Sequence, residues 1–94
     1  MPQGKNIHNA VSDAFIDAGL DEANFITTIC SLQHFQIKIT ILERSTNRYA
    51  ILEIDRDNEG YIHNVFFVLN LLSLSDSVAT RFQNFLYNTE YVYV

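Results

Sequence analysis

Residues 35–43 read FQIKITILE, and the alternation within this stretch decides the fold. Phe35, Ile37, Ile39 and Ile41 fall on one side of an extended chain and Gln36, Lys38 and Thr40 on the other, the pattern of a strand with one buried and one wet face. A period of two held over this length is not that of a helix.

The neighbouring segments extend the same pattern. FITTICSL (25–32) is short and rich in β-branched residues, which favours a strand, and the two-residue connection Gln33–His34 suits a hairpin. Downstream, the polar RSTN (44–47) marks a turn before RYAILEID (48–55), a third strand with Ala50, Leu52 and Ile54 on one face and Tyr49, Ile51 and Glu53 on the other. YIHNVFFVL (61–69) reads as a fourth strand, apolar on both faces, with Val65, Phe67 and Leu69 on one side and Ile62, Phe66 and Val68 on the other.

Two helical stretches flank these strands. Ile7, Ala10, Val11, Ala14, Phe15 and Ala18 follow the spacing of one helical face over residues 6–18, and Gly19 is placed to stop the helix. In residues 72–88, Ser73 and Ser75 are starters, and Val78, Phe82, Phe85 and Leu86 form a second apolar stripe. The alternating tail TEYVYV (89–94) is a short terminal strand.

Strands joined by short loops are antiparallel. The expected architecture is therefore one α+β domain over residues 1–94: an N-terminal helix, a four-stranded antiparallel meander, a C-terminal helix and a short terminal strand. Both helices cover one face of the sheet in a two-layer sandwich.

Composition narrows the function class. Apolar residues make up 48% of the chain and charged residues 18%, a globular balance, and the formal charge of −5 argues against nucleic acid or anionic membrane as a partner. No run approaches a membrane span and the N-terminus lacks a signal-peptide pattern, which leaves a cytoplasmic protein by elimination. The single cysteine, Cys30, reads as a small buried hydrophobe within its β-branched run.

One stretch resembles a calcium loop in outline. In DRDNEGYI (55–62), Asp55, Asp57, Glu59 and Gly60 occupy the first, third, fifth and sixth places of the EF-hand pattern, with Ile62 at the eighth. The twelfth place, which requires a bidentate glutamate, is Phe66, and the flanks read as strands, so the stretch is a turn. On this basis Asp57→Ala is expected to leave folding unchanged, and Gly60 is the sensitive position. His8, His34 and His63 have no metal-ligand spacing; His34 falls in a turn, and no metal or other cofactor is implied.

No nucleophile elbow or phosphate-cradling loop is present, and an adjacent acid pair such as Glu53 and Asp55 more often forms a solvated strand edge than a catalytic site. The acids Asp13, Asp17, Asp21 and Glu22, and a second set at Asp55, Asp57 and Glu59, suit a soluble surface or a basic target. The sequence thus points to a small acidic, non-enzymatic protein-binding module, an accessory or inhibitory factor acting through Gln36, Lys38, Thr40, Tyr49, Ile51 and Glu53. The competing expectation is a ligand-binding or catalytic domain with a pocket between sheet and helices. A homodimer is expected through the tail, at Tyr91, Val92, Tyr93 and Val94, because an alternating strand edge is seldom left open.

Overall fold

A computed structural model describes residues 4–33 and 35–94; His34 and the first three residues, including the turn assigned to His34, lie outside the described residues. Two-residue strand β1 (Lys5–Asn6) precedes helix α1 (Ile7–Asp17), and a single 3-10 turn (Glu22–Asn24) leads into β2 (Phe25–Gln33). There follow β3 (Gln36–Glu43), β4 (Arg48–Arg56), β5 (Ile62–Asn70), helix α2 (Asp76–Tyr87) and β6 (Val92–Tyr93). The main sheet has the order β2-β3-β4-β5, antiparallel throughout, as the short connections require.

The helices begin and end on identifiable side chains. The Asn6 side chain accepts from the His8 amide and that of Ser75 from Val78, each satisfying a donor left free at a helix start. At the end of α1, Gly19 takes φ +72°, and the Gly19 and Leu20 amides donate back to the Ile16 and Phe15 carbonyls. That is a left-handed cap, and Leu20 then packs on the core beside Phe15.

Both helices lie on one face of the sheet. Ile37, Ile39, Ile41, Ala50, Leu52 and Ile54 are buried beneath Ile7, Val11, Phe15, Phe82 and Leu86. Phe15 is the hub, with its ring centroid 4.9 Å from those of both Phe25 and Phe82. Phe35 departs from the expected pattern: it precedes β3 in the turn and is exposed.

Two β-bulges alter the expected face assignment of β5. Ile51 pairs with Leu69 but Leu52 with Phe67, so Val68 is an extra residue; Asp55 pairs with Asn64 but Arg56 with Ile62, so His63 is another. Each bulge shifts the alternation by one. Leu69 therefore joins Ile51 on the helix-free face, and Ile62 packs on the core.

The core face ends in one polar anchor at each end. Glu43, 4% exposed, accepts from the Ser73 amide (3.0 Å), the Ser73 hydroxyl (2.6 Å) and the Thr46 hydroxyl (2.8 Å). The Ser73 hydroxyl first, then the Ser73 amide, hold the carboxyl below its ordinary value against the opposing effect of burial. At the other end, buried Arg56 donates through Nη1 to the Val92 carbonyl at 3.0 Å.

The tail returns to its own chain. β6 pairs in parallel with β1, Tyr91 bridges to Tyr61, and Val92 is fully buried. The terminal strand expected from the sequence thus closes the fold by pairing with the N-terminus.

Candidate functional site

The helix-free face of the sheet carries the side chains that alternate with the core. Register aligns Leu42 with Tyr49, Thr40 with Ile51, and Lys38 with Glu53 across β3 and β4. All six residues expected at a protein-binding surface lie on this face, because Gln36 pairs with Asp55 in the same series. On the flanking strands, Ile26 lies beside Leu42, and Leu69 beside Ile51.

The face has two different ends. Towards the β3–β4 turn, Ile26 is 41% exposed and Tyr49 40% exposed, with Leu42, Ile51 and Leu69 half-buried between them. Towards the other end come Lys38, Glu53, Gln36 and Asp55, all half-buried, with the half-buried ring of Phe66 beside Glu53 on β5. Apolar side chains in a contiguous group on the helix-free face are the unusual observation, since singly scattered ones are normal on any surface.

Glu53 and Asp55 interact on this face. Partial burial, and then the Asp55 carboxyl as hydrogen-bond partner and as charge, push the Glu53 carboxyl above its ordinary value, while Lys38 opposes them. A carboxyl of raised proton affinity beside a second carboxyl can serve acid–base chemistry. Here it stands on an open sheet face, where a small substrate would stay in water on one side.

Cys30 is exposed rather than buried. Its partner in register is Lys38, which places it on the helix-free face of edge strand β2, where the apolar appearance of its own run gives no cover.

The loop over 57–61 is a turn closed by one carboxylate. Asp57 Oδ1 accepts from the amides of Glu59 (2.9 Å), Gly60 (3.0 Å) and Tyr61 (3.0 Å), and these bonds, that of Tyr61 first, lower its pKa. Asp57 is therefore a structural residue, contrary to the expectation that its loss is silent. Among the described residues no group of three or more His, Cys, Asp or Glu could hold a metal ion.

The acids of the first helix are engaged as well. Asp13 pairs with Lys5 at 2.7 Å, Asp17 with Arg81 at 3.2 Å, Asp21 accepts from the Ala23 amide, and Glu22 from the Ser12 hydroxyl. Between α1 and α2 an open groove of about 970 Å³ is lined by Lys5, Asp17, Arg81, Asn84 and Phe85, and its two cations are those already paired. The layer between sheet and helices is filled: the space bounded by Phe15, Ile41, Phe67 and Phe82 does not admit a water molecule. Of the tail residues, Tyr91 and Val92 are held within the fold, and Tyr93 and Val94 remain exposed.

No helix among the described residues is long and apolar enough to cross a membrane. Comparison of the chain with protein-family models, curated proteins and solved structures finds no match.

Proposed function

We propose that this chain is a small non-enzymatic protein-binding module that works through the helix-free face of its sheet. The observation that carries this reading is the group Ile26, Leu42, Tyr49, Ile51 and Leu69, adjacent apolar side chains on the helix-free face, with Ile26 and Tyr49 exposed and the others half-buried. An apolar group flanked on one side by Lys38, Glu53 and Asp55 combines the apolar and polar parts of a protein interface. Tyr49 is the natural anchor, because a large ring with a polar tip contributes contact area at little entropic cost. A role as an accessory or inhibitory factor is compatible with this mode of action. A cytoplasmic setting belongs to the same proposal, supported by the exposed thiol of Cys30, which a reducing compartment keeps free.

The test is a quantitative affinity capture from the native host with the wild-type chain and with Tyr49→Glu, whose side chain is exposed enough to leave the fold intact. Proteins retained by the first and lost by the second support the reading. An identical retained set contradicts it.

A further inference from the structure

The register of β3 and β4 gives the helix-free face an internal symmetry. The two central strands pair Leu42 with Tyr49, Thr40 with Ile51, and Lys38 with Glu53. A line drawn between the strands, parallel to them, separates Leu42 from Tyr49 and Lys38 from Glu53. Apolar faces apolar at one end, and a cation faces an acid at the other.

We propose that the occupant of this face is a second copy of the chain, the two sheets packing face to face about a two-fold axis that runs along the strands between β3 and β4. The proposal rests on the reading of the face as a protein-binding surface. Such an axis sets β3 of one copy against β4 of the other, so each residue meets the partner copy of its own cross-strand neighbour. Leu42 then meets Tyr49, and Lys38 meets Glu53, twice each. An axis across the strands at the level of Thr40 and Ile51 would instead lay Leu42 on Lys38 and Tyr49 on Glu53, setting apolar groups against charges. Charge complementarity therefore selects one of the two symmetric arrangements.

The size of the face suits a dimer. Four strands about 4.8 Å apart and about nine residues long at about 3.3 Å each give roughly 550 Å² per copy, so full overlap of two faces buries about 1,100 Å², at the roughly 1,000 Å² threshold of a specific interface. Sheets packed this way cross at about 30°, and the three central pairs lie within about 7 Å of the crossing point along the strand, where the two faces stay in contact. Compared with this surface, the tail offers a partner only Tyr93 and Val94.

Sedimentation velocity on the full chain tests the arrangement with Lys38→Glu, Glu53→Lys and their equimolar mixture, each first checked for native circular dichroism. Each variant alone sets like charges together across the axis and is expected to dimerise at least about tenfold more weakly than wild type. In the mixture, the acid introduced at position 38 of one chain would meet the cation introduced at position 53 of the other, while each chain keeps its own altered neighbour pair. Heterodimers within about threefold of wild-type affinity therefore report the contact between chains and not the fold within one. A mixture no tighter than its components overturns the proposal, as does a dimer indifferent to both substitutions. If either variant is unfolded, alkylation of Cys30 in the wild-type chain decides: its rate is expected to fall several-fold as concentration rises through the dimerisation range, and a constant rate overturns the proposal. A wild-type chain that stays monomeric at about 200 µM also overturns it. That outcome leaves the protein-binding reading standing if capture remains sensitive to Tyr49→Glu, and removes both if it does not.

Discussion

Replacing Glu43 tests how the sheet is tied to the segment that leads into α2. Its carboxylate is nearly inaccessible and accepts three hydrogen bonds, two from Ser73 and one from Thr46. Glu43→Ala removes three hydrogen bonds to a charged acceptor, each worth about 1.5–3 kcal/mol, a sum reduced because Ser73 and Thr46 are exposed and water takes up the freed donors. The expected loss is about 2–4 kcal/mol, a large fraction of the roughly 5–15 kcal/mol available to a domain. Glu43→Gln keeps the shape and one acceptor and should lose about 1–2 kcal/mol. Because the folded carboxyl titrates below its ordinary value of 4.5, its stabilisation is complete above that pH and is lost as pH falls through the folded pKa. Urea denaturation should thus show a wild-type advantage over Glu43→Gln that is full near neutrality and shrinks as the pH falls below 4.5. An advantage that stays constant over that range would refute the ionised carboxylate as the stabilising species.

Three further substitutions test the fold. Asp57→Ala removes the acceptor for three backbone amides and should lower the melting temperature by roughly 5 °C, with partial recovery in Asp57→Asn; an unchanged midpoint would mean that water replaces the carboxylate. Gly60→Val places a Cβ 2.8 Å from the Tyr91 ring at a φ of +101°, and a loss above about 2 kcal/mol is expected by thermal melting, whereas a loss no larger than that of an exposed substitution argues against both the turn and the tail docking. Ile39→Ala, in a central strand and fully buried, should cost about 3 kcal/mol, against about 1 kcal/mol for Ile29→Ala beside it on the edge; equal losses would contradict the strand order.

The layer order was legible because period-two and helical spacings report burial directly, as Ile37, Ile39 and Ile41 do on β3 and Ile7, Val11 and Phe15 do on α1. The bulges at His63 and Val68 were not, since an extra residue leaves composition unchanged while it exchanges the faces of Ile62 and Leu69. Nor was the exposure of Cys30, which depends on β2 being an edge strand with no cover on one side. Glu43 and Arg56 were within reach: each continues an apolar series, Ile37-Ile39-Ile41 and Ala50-Leu52-Ile54, by two residues and so lies on the core face. The pairing of β6 with β1 needs the three-dimensional return of the chain, because two-residue strands have too little pattern to read. For the site, the sequence located the polar and mixed residues of the face, while the group formed by Ile26, Leu42 and Leu69 emerged only from register.

The central claim is that the helix-free face of the sheet meets a protein, and isoleucine methyl NMR tests it most directly. The chain is labelled at Ile methyls and exposed to a soluble paramagnetic probe, alone when dilute and then in complex with whatever protein it holds, its own copy included. Ile26 and Ile51 on the face should lose their relaxation enhancement in the complex, while Ile16, 69% exposed on α1, keeps its own. Protection of Ile16 with Ile26 and Ile51 still accessible would place the contact on the helices and contradict the account.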